Sequence, residues 1–578
     1  MQHNKNTKKP EQIAKVSTSD KKISESIWTV MDKFNIKTVL TPFNVLKRSG
    51  ALVSTITMTL IVLPFIAKNS VWALFAGNLY KDNSGKKDAF YDLKNNSTIN
   101  WRLLLYGMAR RFQVLLSPSS NNLNGLIRAL ILDDTTISKT GKSIERTGYV
   151  HDHVSGKFIL GYKILVAGYW DGVSFIPIDF SIHREKRDDK LNKSKKQIEK
   201  TKNKIVKLQD RKTHINNRIK VLKKEMNLLN KAIKIKPQKT KEKQLMTKTQ
   251  SLEKHKKRMT VVKQDIEEQQ QKLQYQLNAH SEVEKHSGRC GLKPQEYKDQ
   301  FKKHRERETP GNKRIKETDK SKIDNAVVMI KRALRAGFKF EYVLTDSWFF
   351  SGKLLQGIVS CGKEVNLISM AKLGNAKYKM LPSGKYFSPK QLIANHKRKA
   401  ITNRKYKAKY IKIQAEYQGV RVVMFLIKIG RGENWRLLVS TDLNIGFNKL
   451  MEVYKIRWAI EVFFKESKQY LLLGKSQSQD FDAQIADTTI SFMRYILLSY
   501  YERIHYGISI GGMFRELSQA SVEENLVADL SATFMDLLQA FANISGIDFI
   551  TFYESIIRQP ELQTAMVRLQ IAPPNKAA

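Results

Sequence analysis

KFILGYKILVAGYWDGVSFIPIDFSIH, residues 157–183, is two apolar, β-branched and aromatic runs on either side of Asp171-Gly172. That dipeptide favours tight hairpin turns, so 157–170 and 173–183 are predicted to pair as antiparallel strands. A third strand precedes them: LIRALILDD (126–134) is apolar up to Asp133 and Asp134 and is read as a buried strand ending in acid. Downstream, IDNAVVMIKRALRAGF (323–338) has helical periodicity and closes at Gly337. FEYVLTD (340–346) is again a strand ending in acid, SGKLLQGIVSCG (351–362) a helix and EVNLISMAK (364–372) a strand. Between 373 and 445, alternating runs such as KAKYIKIQAEY, VRVVMFLIKI and NWRLLVSTD predict a small β-insertion.

The 578 residues carry 102 Lys+Arg against 54 Asp+Glu, a formal net charge of +48. Solubility needs far less, and such an excess marks a polyanion binder, with nucleic acid the first candidate and an anionic membrane surface the second. The longest apolar run, ALVSTITMTLIVLPFIA (51–67), is shorter than the roughly 20 residues that span a bilayer and is broken by Pro64. It is read as a buried helix, and no membrane partner is expected. Residues 1–25 are polar and Lys-rich, read as a disordered basic arm without a secretory signal. Residues 26–125 form a helical N-terminal domain that touches DNA through its basic surface, and 481–578 a helical C-terminal domain. Cys290 and Cys361 make neither a disulfide framework nor a zinc site, which suits a reducing cytoplasm. His151-Asp152-His153 is too thin for a metal site and is read as a loop contact.

A long interruption fills 186–320. Its first part, 186–280, holds 29 Lys/Arg and 10 Asp/Glu, a net +19. Ile198, Ile205, Leu208, Ile215, Ile219, Leu222, Met226, Leu229 and Ile233 keep a heptad register, with Thr201 and Lys212 out of character. After Pro237, Leu245, Leu252, Met259, Ile266 and Leu273 recur every seven residues. Two heptad helices joined at a proline predict an antiparallel coiled-coil hairpin, a basic arm for DNA or for a second subunit.

With the arm and the β-insertion set aside, the order is three strands, then helix, strand, helix, strand, helix. An antiparallel trio followed by βαβ crossovers is an α/β, RNase H-like mixed-sheet core. Its halves are 126–185 and 321–372, with the β-insertion at 373–445 and a core helix at 446–480. In that layout Asp133 or Asp134, Asp346 and an acid on the last helix converge on one sheet edge. YKIRWAIEVFFKESK (454–468) supplies the acid. Relative to Tyr454, the side chains of Arg457, Glu461 and Lys468 fall at roughly −60°, −20° and −40° on a helix, one narrow stripe facing outward. Ile456, Ala459, Ile460 and Phe463 make the opposite, buried face. Three gathered carboxylates repel one another unless cations neutralise them, and a pair of Mg²⁺ ions does so while leaving room for water and phosphate. That is phosphodiester chemistry, with Tyr454, Arg457 and Lys468 placed to hold the phosphates.

DDTT (133–136), VLTDSWF (343–349) and Tyr454-x2-Arg457-x3-Glu461-x6-Lys468 resemble the three signature blocks of DDE transposases of the insertion-sequence-four family, over roughly 128–185 and 323–480. The resemblance implies a bacterial, nucleoid-associated enzyme that cuts transposon ends and joins them to target DNA through a hairpin intermediate. It implies two Mg²⁺, with Mn²⁺ as a substitute, held by Asp133, Asp346 and Glu461, with Asp134 the alternative to Asp133. Double-stranded DNA with terminal inverted repeats is the implied partner, and a homodimer the implied synaptic assembly. Trp435 stands where the family has a tryptophan that receives a flipped base; a core tryptophan in a strand is the other reading. The basic arm is a departure from the family pattern. The alternatives are an RNase H-like endonuclease that does not transpose and a non-enzymatic basic coiled-coil DNA-binding protein.

Overall fold

A computed structural model describes residues 25–46, 49–76, 85–116, 126–185, 189–286, 289–362, 364–430, 434–505 and 508–559. The basic stretch read at 1–25 lies almost wholly outside them. The chain divides into two units, one of Met1–Arg146, Tyr162–His183 and Phe301–Ala578, the other of Thr147–Gly161 and Arg184–Gln300.

Among the described residues, twelve strands follow in chain order. The first six are β1 (Ala129–Ser138), β2 (Gly148–His151), β3 (Phe158–Trp170), β4 (Phe175–His183), β5 (Tyr342–Thr345) and β6 (Asn366–Ala371). The others are β7 (Tyr378–Met380), β8 (Tyr386–Phe387), β9 (Ile401–Asn403), β10 (Ala408–Tyr417), β11 (Val420–Ile429) and β12 (Trp435–Ser440). In the first unit the order is β4-β3-β1-β5-β6-β12-β11-β10-β7-β8, with β9 on β10. β3 and β4 pair antiparallel from Trp170↔Phe175 outward, around the predicted turn. There Asp171 Oδ1 accepts from the Val173 and Ser174 amides (2.9 and 2.7 Å), and Gly172 takes a φ of +111°.

One sequence expectation needs correction. β1 does not end in acid: it runs on through Thr135, Thr136 and Ile137 to Ser138, so Asp133 and Asp134 lie within the strand. The strands within 373–445 join the core sheet. β12 pairs antiparallel with β6, Leu437↔Ala371 to Ser440↔Ile368, and carries the core sheet onward to β8. The row of β6 hydrogen-bonding groups is thereby capped by pairing rather than left as an open edge.

Helices from both ends of the chain pack together in this unit instead of forming separate terminal domains. Phe34 meets Tyr500 edge-on (5.2 Å) and the Ser521 hydroxyl accepts from the Ile27 amide (3.0 Å). The apolar run at 53–62 is a buried helix, followed by a 3₁₀ turn at Leu63–Ile66. Among the described residues no helix is long and apolar enough to cross a membrane. The helix Phe481–Ile504 is buried over most of its length and presses Phe492 and Tyr495 against Phe463 (5.0 and 4.8 Å). Its start is held by a buried ionic cluster in which Arg305 binds Glu145 (2.7 Å), Asp480 (3.0 Å) and Asp482 (2.9 Å). Residues 301–317 belong to this unit, so the interruption read at 186–320 is shorter than its sequence bounds.

In the second unit β2 pairs with the first residues of β3. Helices Asp189–Ile235 and Lys239–His286 form the hairpin, and Ile198, Ile205, Ile215, Leu222, Leu252, Val262 and Ile266 are buried along its seam. Val262 lies outside the every-seven pattern. Ser194 meets His280 (3.0 Å) and Glu225 meets Lys248 (2.5 Å), an antiparallel register about the turn at Pro237.

Removing Arg305 would take away the guanidinium shared by three buried carboxylates, of which Asp480 and Asp482 keep Lys303 (2.8 and 3.0 Å) while Glu145 loses its ion pair. Arg305→Ala is expected to cost about 3–5 kcal/mol, read as a lower urea midpoint; a loss below about 1 kcal/mol would mean that the cluster holds nothing in place.

Candidate active site

β1 and β5 run parallel and pair from Ala129↔Tyr342 to Leu132↔Thr345, where the pairing stops. The next residue on each strand is an acid, Asp133 and Asp346. Parallel neighbours lie about 4.8 Å apart, so backbone register alone sets the two side by side where the strands diverge. Burial and the adjacent Asp346 carboxylate push the Asp133 carboxyl up to about 7. Burial, with the charge of Asp134 adding to it, also raises Asp346 above the ordinary carboxylate range.

Asp134 is served differently. Its Oδ2 meets Lys322 Nζ at 3.0 Å and the buried Lys163 Nζ at 3.6 Å, so two ammonium groups already balance it. Lys322 also sits over the Trp348 ring, 3.8 Å from the centroid. Of the two acids between which the motif leaves a choice, Asp133 is the one beside Asp346 with too little positive charge. Asp346 is no helix cap: Ser351 caps the helix Gly352–Val359, while Asp346 Oδ1 accepts from the Trp348 amide (2.9 Å).

The third block departs from one straight helix. Phe447–Lys455 is α-helical, Ile456–Trp458 a 3₁₀ turn, and Ala459–Tyr470 α-helical again. Its polar stripe faces the strand ends instead of open solvent. The Tyr454 hydroxyl donates to the Thr345 carbonyl (3.4 Å), and burial pushes that phenol up to about 12. Arg457 donates from Nη1 to Asp133 Oδ2 (3.1 Å) and from Nη2 to Glu461 Oε1 (2.6 Å). Burial opposes the guanidinium charge, yet Tyr454, Glu461 and Asp133 around it raise its pKa. Phe463 and Ile460 bury the other side of the helix, the former against Phe175 of β4 (5.2 Å).

Asp133 and Asp346 are adjacent, and Glu461 is joined to Asp133 through Arg457. Among the described residues no three His, Cys, Asp or Glu side chains form a ready metal-binding group. The donors still fit a hard divalent cation: they are all carboxylate oxygens, and the raised Asp133 carboxyl signals positive charge in short supply.

Lys468 lies in the last turn of the Glu461 helix. Trp435 opens β12, half-buried against the core. The register Leu437↔Ala371 and Thr345↔Ser369 carries it to the sheet edge that holds Asp346, roughly 14 Å away by strand spacing and rise. Sequence reasoning missed Lys163, Lys322 and two solvent-facing tryptophans, Trp348 (40% exposed) and Trp458 (61%). Both tryptophans adjoin motif residues, and a large aromatic left in water beside a charged motif is the signal that could have singled them out.

Residues 302–484 match the sequence model of a family described as archaeal putative transposase ISC1217 (DDE_Tnp_2). That span holds Asp346, Tyr454, Arg457, Glu461 and Lys468, and Asp133 lies before it. No curated protein matches the chain. Among solved structures, it is similar to the chain in a cryo-EM structure of a piggyBac transposase synaptic complex with hairpin DNA. The identity is 10%, the match covers 96% of this chain and 86% of that one, and the TM-score is 0.38.

The raised Asp133 carboxyl makes a pH-dependent prediction. Above about 7 the folded protein carries this buried charge at a cost; as pH falls through that value the folded state takes up a proton and the cost fades. Asp133→Asn should thus stabilise the metal-free protein at pH 8 by on the order of 1 kcal/mol, and the gain should shrink at pH 5.5. Thermal melts at both values check it, and an equal effect at the two would contradict it.

Proposed function

We propose that the chain is a DDE-type DNA transposase with an RNase H-like catalytic core, which cuts transposon ends and joins them to target DNA. The observation that carries the reading is the β1–β5 register, which ends at Leu132↔Thr345 and delivers Asp133 and Asp346 together at the edge reached by Arg457 and Glu461. The strand order β4-β3-β1-β5-β6, with β3 and β4 paired antiparallel and β1, β5 and β6 paired parallel, supports the core assignment. The match of 302–484 to a transposase family supports the activity.

Asp133, Asp346 and Glu461 would hold two divalent cations, Mg²⁺ in the first instance and Mn²⁺ as a substitute. Bound there, such ions activate a water and stabilise the leaving 3′ oxygen during displacement at phosphorus. The chain's own residues do the rest. Arg457, shared between Asp133 and Glu461, would offer its guanidinium to a DNA phosphate at this edge. Tyr454 keeps the third block seated on β5 through the Thr345 carbonyl. Lys468 adds a second phosphate contact. Trp435 receives a base unstacked at the hairpin step, the chemistry of the insertion-sequence-four pattern. Two copies bring two ends together, each on its terminal inverted repeat.

Glu461→Ala and Asp346→Ala are expected to lower Mg²⁺-dependent cleavage of an end-containing duplex by at least about 10³-fold, with DNA affinity within threefold of the parent. Cleavage at the parental rate by either variant would remove the assignment. Arg457→Ala should weaken duplex binding and reduce the slope of log K against log salt by about 0.9, one phosphate contact, as measured by fluorescence anisotropy.

A further inference from the structure

The distal part of the helical hairpin is far more basic than its base. Residues 207–264 hold 19 Lys/Arg and four Asp/Glu, a net +15 out of the +19 carried by 186–280. The seam does not require this. Burial of Ile215, Leu222, Leu252 and Val262 accounts for pairing of the two helices, and flanking positions in such a hairpin ordinarily mix both signs. Seventeen of the nineteen cations are exposed, and the interhelical pair Lys248–Glu225 (2.5 Å) engages one of the other two. Four carboxylates cannot balance the rest, and the self-repulsion is a cost that an anionic partner would offset.

The composition narrows the partner. Residues 207–264 contain no Phe, Tyr or Trp. Single strands are held by stacking bases on aromatic rings, a device this stretch lacks. Helices that lie on membranes anchor through an apolar face of Trp, Phe and Leu; here the large exposed apolar side chains are Val221, Leu228, Ile235, Met246 and Val261 against seventeen exposed cations, which favours a partner recognised through phosphate charge. The helix from 207 to Ile235 rises roughly 43 Å at 1.5 Å per residue, a little over one turn of B-DNA at about 34 Å.

We propose that residues 207–264 are a DNA-binding surface in their own right, one that grips the phosphates of duplex DNA over about one helical turn without reading its sequence. This takes DNA as the substrate from the function proposed above and adds to it a contact that sets affinity and salt dependence rather than chemistry.

The test uses the full chain carrying Lys220, Lys223, Lys224, Lys231, Lys254 and Lys257 all replaced by Gln. These side chains are exposed and outside the seam, and Gln keeps helix propensity. Binding to a 60-base-pair duplex of arbitrary sequence is titrated from about 50 to 300 mM salt, a range over which phosphate contacts dominate. Expected is at least a tenfold loss of affinity at about 150 mM salt and a slope smaller by about 2–5, with unchanged helicity by circular dichroism and with binding restored when the same six lysines become Arg. Unchanged affinity and slope would overturn the proposal. So would a loss seen with single-stranded RNA or with phosphatidylserine vesicles but not with the duplex, or a loss that the Arg set does not restore. Failure of the enzymatic reading is told apart by Glu461→Ala, which then cleaves like the parent whatever the arm binds.

Discussion

Two aspartates that backbone pairing forces together, with too little positive charge between them, are the constraint on which the site depends. The parallel ladder of β1 and β5 stops after Leu132 and Thr345, and the next side chains are both acids. Hydrophobic packing holds the ladder, since Leu130, Ile131, Leu132, Val343 and Leu344 are all fully buried. The strands cannot part to relieve the repulsion without exposing that core. Burial and that repulsion together raise the Asp133 carboxyl, and Arg457 lies against it. A guanidinium bridging Asp133 and Glu461 supplies positive charge between them.

The surroundings are arranged to keep that deficit local. Lys163 and Lys322 neutralise Asp134, so the second acid of the pair does not compete for the same cation. Ser369 donates to the Asp346 carbonyl (3.1 Å) and to no other acid of the site among its described bonds, fixing the backbone where β5 ends. The Glu461 helix is held from behind by Phe463 against Phe175, Phe492 and Tyr495. Arg305 in turn fastens the helix that carries Phe492 and Tyr495. Apolar packing sets the positions and the ionic clusters set the orientation.

What the sequence makes legible is what is local. The Asp171-Gly172 turn, the FEYVLTD strand and the heptads of the hairpin depend on neighbours within a few residues, and the structure forms each of them. The extension of β1 to Ser138 was readable in part, because Thr135, Thr136 and Ile137 are β-branched, but two adjacent acids look like a strand end. The joining of β12 to β6 was not readable, since either edge of an alternating β-segment can pair with a distant strand. The choice between Asp133 and Asp134 needs the register of two strands more than 200 residues apart. The bond from Arg457 to Asp133 needs the same long-range closure; spacing alone exposes only its partner four residues on.

The most direct measurement is the manganese anomalous signal in crystals of the protein bound to a cut transposon end. The predicted result is density for Mn²⁺ between the carboxylates of Asp133 and Asp346, with Glu461 as a further ligand and the Arg457 guanidinium moved from Glu461 to a phosphate. Manganese bound at Asp134, or Arg457 still bridging Asp133 and Glu461 with no metal beside Asp346 while the DNA is being cut, would contradict it.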